Sequence, residues 1–501
     1  MPKQTIAMVL VVLLTVGPGC YIRKVQKVST ADVPQPASEK IVGITTIKGE
    51  DISFDKPGAS IKDGRLHAFL RNSAYEVPLD QVQRLWVERK ELSKGRTIGL
   101  VAGVVVGTLG IIVGVVAATK QSCPFVYSWD GKQYAFDAEP YGGAITRGLE
   151  KDDISQLEHL REQDGLYRLK LTNEVDETQL TNLTELWVVD HPAGTRVVPD
   201  VSGKLHTVAQ PQGILSARDA TGHDLLPWLR ATDRLIWEPP AVPDVSGNLQ
   251  GDIEMTFPKP PGATQVKLVA NAATGLWGSY MIKQMVQLRG REILAWYASM
   301  QSQSARDALF AWEVREQLFA LKIFVEEPTG WQVRGVLPGT GPFISKDRIV
   351  PLDVSRAQGD QLHIRIQPPA GFWALNSFAV DYTADRSVRV EAVKPTTAQD
   401  LQGKDVLPEL VATDDRYLAM PNIGDTVDIT FHVPPRHAGA DRTVFLHSRG
   451  YYELHVNTTG DPDTKTLQEI ENVPGGGALF AAKQFALWQV AKQQGHDRTR
   501  P

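Results

Sequence analysis

The feature that most constrains this chain is an internal repeat. "GHDLLPWLRATDR" at residues 222–234 is echoed by "GKDVLPELVATDDR" at 403–416. Three further matches follow in the same order. "GLYRLKL" (165–171) answers "GDQLHIRI" (359–366), "LTELWVVD" (183–190) answers "LNSFAVD" (375–381), and "GDIEMTFPKPPGA" (251–263) answers "GDTVDITFHVPPRHAGA" (424–440). Collinear matches over that span mean one supersecondary unit used twice. Both copies alternate apolar and polar residues, as in Leu169 and Leu171 against Arg168 and Lys170, and proline or glycine breaks recur at short intervals. That texture predicts two homologous β-sandwich, jelly-roll-like modules, at 121–280 and 326–456.

Other segments are assigned around these modules. Residues 1–20 have one early lysine, an apolar core of signal-peptide length and the ending Gly17-Pro18-Gly19-Cys20, which resembles a bacterial lipobox. Cys20 is the expected lipidation site. Residues 21–39 are polar and read as a linker. Residues 40–95 carry short β-branched runs broken by Lys-Gly, Pro-Gly and Asp-Gly, the chemistry of tight hairpins, and predict a small SH3- or Sm-like β-barrel. A helical insertion is expected at 281–325, its last helix opening on Ser304 and Asp307 in capping-box spacing. The tail, 457–501, is expected to end in a helix bearing Phe480, Phe485 and Trp488.

Residues 97–119 hold 23 positions without a charge. About 20 suffice to cross a bilayer as a helix. Gly99, Gly103, Gly107, Gly110 and Gly114 share one helical face, the small-residue pattern of membrane helix packing. The expectation is a transmembrane or membrane-associated helix, with the bilayer as partner and homo-oligomerisation through the glycine face. Its topology is contested. Arg84, Arg89, Lys90, Lys94 and Arg96 favour a cytoplasmic N-terminal side, whereas a leader cleaved at Cys20 places the same residues outside.

Chemistry is sparse. A net charge of -5 gives no positive field for nucleic acid. Two cysteines, Cys20 and Cys123, make neither a disulfide framework nor a thiolate metal site. His432, His437, His447 and His455 lack metal-ligand spacing, and no metal or other cofactor is expected. Asp190-His191 could be half of an acid–base pair, but its repeat counterpart is Asp381-Tyr382. Asp414, Asp415, Asp461 and Asp463 are weak calcium candidates. Trp331 and Trp373, beside glycine-rich turns, are candidates for stacking on a ligand such as a sugar ring. No catalytic residue is assigned.

The opening "CPFVYSWDG" (123–131), "VVDHP" (188–192) and "FLHSRGYYE" (445–453) together resemble a group of uncharacterised bacterial envelope proteins. The stretch from Gly330 to Tyr382 resembles the strand order of galactose-binding jelly rolls. The resemblance implies address and architecture and carries no activity. The expected function is that of a non-enzymatic, membrane-anchored envelope protein. Its tandem sandwiches, outside the cytoplasm, would serve binding or assembly with a glycan or another envelope protein. The alternative is an envelope carbohydrate-binding protein or hydrolase with a site between the modules.

Overall fold

The structure is a computed structural model. It describes residues 21–29, 40–48, 51–55, 58–62, 64–70, 73–92, 124–233, 235–238, 251–339, 345–369, 371–456 and 458–493. The fold is mainly β, with antiparallel sheets and few helices. The chain divides into two compact units, residues 1–108 and 109–501. Cys20, Cys123 and the run 97–119, with Gly99, Gly103, Gly107, Gly110 and Gly114, lie outside the described residues.

The first unit is the small barrel-like domain. Its strands are β1 (Tyr21–Ser29), β2 (Lys40–Thr46), β3 (Asp51–Ser53), β4 (Ser60–Lys62), β5 (Arg65–Leu70), β6 (Ser73–Pro78) and β7 (Val82–Leu92). One sheet runs β1-β7-β2-β3 and the other β4-β5-β6. Ile41, Ile44, Leu66, Leu85 and Val87 are fully enclosed between them. At Gly43 a Cβ would lie 2.5 Å from the Trp86 ring, so only glycine allows that indole to cover the sheet. The linker expected at 21–39 is corrected in its first part. Tyr21–Ser29 is a strand, paired from Tyr21↔Leu92 to Ser29↔Arg84. The long β7 offers a ladder edge there, and backbone pairing outweighs the polar sequence.

The second unit holds both sandwiches. Its strands are β8 (Phe125–Trp129), β9 (Tyr134–Ala138), β10 (Lys151–Gln156), β11 (Leu166–Thr172), β12 (Glu177–Pro192), β13 (Arg196–Pro199), β14 (Leu205–Val208), β15 (Gln212–Gly213), β16 (Ser216–Asp219), β17 (Ile253–Pro258), β18 (Gln265–Thr274), β19 (Leu321–Glu327), β20 (Gly330–Leu337), β21 (Lys346–Asp353), β22 (Gln361–Gln367), β23 (Trp373–Asp381), β24 (Arg389–Val393), β25 (Thr397–Asp400), β26 (Leu418–Met420), β27 (Thr426–His432) and β28 (Ala440–Leu454). The helices are α1 (Leu226–Leu229), α2 (Leu276–Gln287), α3 (Ile293–Ser299), α4 (Gln303–Glu316), α5 (Thr464–Asn472) and α6 (Gly476–Gln493). Strand faces follow the period-two rule: Ile253, Met255 and Phe257 of β17 point into a core while Glu254 and Thr256 face away.

The repeat is real, but the modules do not follow it along the chain. Sandwich A stacks the sheet β25-β27-β11-β8-β9 on β10-β28-β12-β24, with β26 also on β12. Sandwich B stacks β16-β17-β22-β19-β20 on β15-β23-β18-β21. The two orders match strand for strand, β25 with β16, β27 with β17, β11 with β22, and so on through both sheets. Each repeat therefore has a leading half (β8–β12 or β19–β23) and a trailing half (β15–β18 or β24–β28). The leading half of the first repeat closes on the trailing half of the second, and the reverse. The expected boundaries, 121–280 and 326–456, are thus corrected. Sandwich B is a contiguous insertion, and sandwich A is built from both ends of the unit.

Matching details confirm the equivalence. Asp219 Oδ1 accepts from the N–H groups of Thr221 (2.9 Å) and His223 (3.0 Å). Asp400 Oδ1 accepts from those of Gln402 and Lys404 (both 2.9 Å). Asn182 Oδ1 accepts from Asp414 N–H at 3.2 Å, and Asn376 Oδ1 from Asp233 N–H at 3.2 Å. The last strand of each leading half carries, at or near its end, an aspartate that meets a trailing-half cation in the same register, Asp190↔Arg442 and Asp381↔Lys267.

The reason for the exchange lies in the linkers. After β12 the chain does not turn back; residues 193–211 form the β13–β14 hairpin, which wedges between the sandwiches. Val197 packs with Val189 and Phe445 of sandwich A. Val198 and Val208 pack with Val269 and Ile349 of sandwich B. The second linker, 382–388, is tied to the first. His206 lies between Asp385 Oδ2 (2.8 Å from Nδ1) and Asp200 Oδ2 (3.0 Å from Nε2). Lys267 Nζ reaches Asp385 (3.3 Å), Asp381 (3.6 Å) and the carbonyl of Thr207.

These carboxylates make stability acid-sensitive. Arg442 holds Asp190 well below the usual carboxylate range, against the opposing effect of burial. Burial pushes Asp381 and Asp385 up. Bonds from Thr383 and Gln210 to Asp381, and from Thr207 and His206 to Asp385, more than offset it, so both carboxyls are lowered. Groups with depressed folded values stabilise the fold above pH about 4 and lose that contribution as pH falls. The urea midpoint is therefore expected to hold from pH 7 to 5 and to drop steeply below 4, and a midpoint that stays level down to pH 3 would contradict these assignments.

Among the described residues no helix is long and apolar enough to cross a membrane. For the described residues that finding corrects the expectation of a transmembrane helix; the run 97–119 itself lies outside them. The 18-residue α6 carries Lys483, Gln484 and Lys492 within its span. The helical insertion occupies 276–316, earlier than the expected 281–325. The cap of α4 is Ser302, whose Oγ accepts from Ala305 N–H, and not Ser304; Asp307 instead accepts from Gln303 Nε2 at 2.7 Å.

Candidate functional site

The helical insertion does more than fill space. Helices α2, α3 and α4, with α5 from the tail, roof a cavity of about 720 Å³ whose floor is shared by both sandwiches. Its wall is mostly apolar, with Ile145, Met285, Trp296, Trp312, Phe372 and Ile470 contributing. Sites of about 300–1,000 Å³ with apolar walls and few polar groups are those of small-molecule ligands.

Each wall segment is held by identifiable contacts. Gly278 lets α2 pack on sandwich B, where a Cβ would fall 2.6 Å from the Phe372 ring. Phe372 is fixed edge-on between Phe319 (5.1 Å between centroids) and Trp373 (6.0 Å). On the sandwich A side, Gly143 N–H donates to Tyr452 Oη at 3.0 Å. The Thr146 hydroxyl donates to the Tyr297 carbonyl at 3.3 Å. At Gly148 a Cβ would lie 2.1 Å from the Met300 carbonyl oxygen, so the loop runs directly against the end of α3. Trp312 Nε1 donates to the Ile470 carbonyl at 2.8 Å and joins α4 to α5. Buried Glu316 joins α4 to α6, accepting from the N–H groups of Gly475 (3.2 Å), Gly477 (2.8 Å) and Ala478 (3.3 Å).

The polar part of the wall is small. Arg289 lies 4.5 Å over the Trp296 ring and donates to Glu471 Oε1 at 2.6 Å. Arg315 donates to Glu316 Oε1 at 2.8 Å and to the Glu471 carbonyl at 2.7 Å. Half-buried Glu313 also faces the cavity, and burial raises its carboxyl above the ordinary value. A wall of this kind can hold an alkyl chain and orient one polar head. It shows no nucleophile–base pair at hydrogen-bond distance among the described residues lining it.

The residues singled out in the sequence lie elsewhere. Trp373 is a core side chain of sandwich B, 2% exposed, its Nε1 donating to the Phe319 carbonyl at 2.9 Å. Its assignment as a stacking residue is corrected: β23 turns its ring inward, among the core side chains Phe372 and Phe319. Trp331 is half-exposed on β20, with the Arg365 guanidinium 4.3 Å over its ring, so one stacking face is already occupied. His191 is buried between Thr195 and Thr443, and Asp190 is paired with Arg442. His437, His447 and His455 pair with Asp190, with Glu185 and Asp152, and with Asp176. Among the described residues no group of histidine, cysteine or carboxylate side chains is placed to hold a metal. The calcium candidates are engaged: Asp414 with Arg416, Asp415 with Arg147, Asp461 with Arg291, and Asp463 as the cap of α5.

No family model and no curated protein matches the chain. Among solved structures, a cycloalternan-forming enzyme from Listeria monocytogenes, in complex with a pentasaccharide substrate, is 12% identical. The match covers 73% of this chain and 29% of that one, with a TM-score of 0.17. The chain thus spans under a third of that enzyme's length, and a TM-score so low carries no argument about fold or chemistry.

Proposed function

We propose that this is a non-enzymatic binding protein of the cell envelope, whose exchanged sandwiches and helical roof enclose a site for the alkyl chain of an amphiphile. The observation that carries the reading is the cavity of about 720 Å³ with its apolar, aromatic-rich wall. The leader-like residues before Cys20 support an address outside the cytoplasm.

Burying one methylene contributes about 0.8 kcal/mol, or about fourfold in affinity. Binding of straight-chain alcohols is therefore expected to strengthen about fourfold per added carbon until the cavity is full, and then to level off. Trp296 and Trp312 line the site and report occupancy by fluorescence. Ala305→Trp, which places an indole in the cavity from α4, is expected to weaken binding at least tenfold. Affinity that is independent of chain length, or unchanged in that variant, would overturn the reading.

A further inference from the structure

We propose that the cavity selects amphiphiles with a positively charged, hydrogen-bond-donating head, an alkylammonium, and that Glu313 is the residue that reads the head. The proposal rests on the cavity being an alkyl-chain site, and it follows from which polar groups in the wall are already satisfied.

Both guanidiniums are engaged. Arg289 is paired with Glu471, and Arg315 with Glu316 and a main-chain carbonyl. A carboxylate-headed ligand would have to share a guanidinium with the carboxylate already on it, Glu471 or Glu316, and meet like charge at close range. Glu313 differs. It follows Leu309 by one helical turn, so both project from the same face of α4 into the cavity. Among the described residues no hydrogen bond or ion pair engages its carboxyl. The cation whose charge bears on it, Lys151, lines a separate cavity with Asp152 and Asp153, and its influence is smaller than that of burial. A half-buried carboxyl without a donor is unfavourable, and a bound donor relieves it.

The aromatic wall points the same way. Trp312 and Phe319 line the same cavity as Glu313, and aromatic faces attract a desolvated cation. Trp296 already shows that geometry with Arg289. An ammonium can therefore donate to Glu313 while its chain lies among the apolar side chains. A hydroxyl head supplies the donor without the charge, and a carboxylate head supplies neither.

Calorimetric titration of the full chain at pH 7 with decylammonium, decanol and decanoate, each below its micelle concentration, tests this. Decylammonium is expected to bind at least tenfold more tightly than decanoate, with decanol between them. In Glu313→Gln that preference should shrink to threefold or less. Glu313→Leu should do the same, with circular dichroism verifying that both variants fold. Decanoate binding as tightly as decylammonium, or a preference that survives both substitutions, would overturn the proposal. Decanol binding without any ammonium preference overturns the head-group inference alone, whereas no binding of any decyl compound overturns the cavity reading with it.

Discussion

Asp190→Ala is expected to cost about 3–5 kcal/mol of folding free energy, the usual result of breaking a buried ion pair from one side. Asp190 and Arg442 are both almost fully enclosed, with side chains 6% and 9% exposed. The carboxylate accepts from Arg442 Nε at 2.6 Å and Nη2 at 3.0 Å, and from His437 N–H at 3.0 Å. Without it the guanidinium keeps the carbonyls of Pro434 and Pro435 and the Tyr167 hydroxyl, none of them charged. The pair joins the leading half of the first repeat to the trailing half of the second, so sandwich A should loosen first. Urea denaturation provides the measurement, and a loss under 1 kcal/mol would show that this pair does not hold the halves. Lys267→Ala removes the equivalent cation from sandwich B and is expected to act in the same direction, since the Asp381 side chain is wholly buried.

Trp373→Ala is expected to cost a further large amount, about 3–5 kcal/mol, typical of deleting a core aromatic. The indole is buried in sandwich B and its N–H is satisfied by a main-chain carbonyl. A ligand-stacking tryptophan would behave in the opposite way, with little stability lost and binding abolished. Trp331→Ala serves as the comparison. Half-exposed and covered by Arg365, it should cost about 1 kcal/mol or less. Equal effects of the two substitutions on stability would refute the burial assignment.

Much of this architecture was legible in the sequence. The Asp-Gly hairpins, the alternation in β17 and β22 and the four collinear matches give two sandwiches, a small barrel and a helical insertion. The exchange was not legible, for a physical reason. The two leading halves are alike, and so are the two trailing halves. Thr256 pairs with His363 and Thr430 with Arg168, but the apolar pattern fits either closure. What decides between them is the β13–β14 wedge, whose valines show an ordinary strand pattern until their neighbours from both sandwiches are known. The cavity escaped for a similar reason. Ile145, Trp296, Phe372 and Ile470 are each unremarkable apolar residues, and only the fold brings four distant segments to one wall. Glu313 reads as one charge on an amphipathic helix; its meaning comes from the pairing of Arg289 and Arg315 with other partners.

The exchange of halves is the claim on which the cavity and the clamps depend, and one cross-linking measurement tests it directly. With Cys20 and Cys123 replaced by serine, cysteines are introduced at Arg168 and Thr430 in one variant and at Arg168 and Thr256 in another. Arg168 faces Thr430 across the β11–β27 ladder, so the first variant should form an intramolecular disulfide under mild oxidation and the second should not. A disulfide in the second variant and none in the first would mean that each repeat closes on itself, and the exchanged architecture would be wrong.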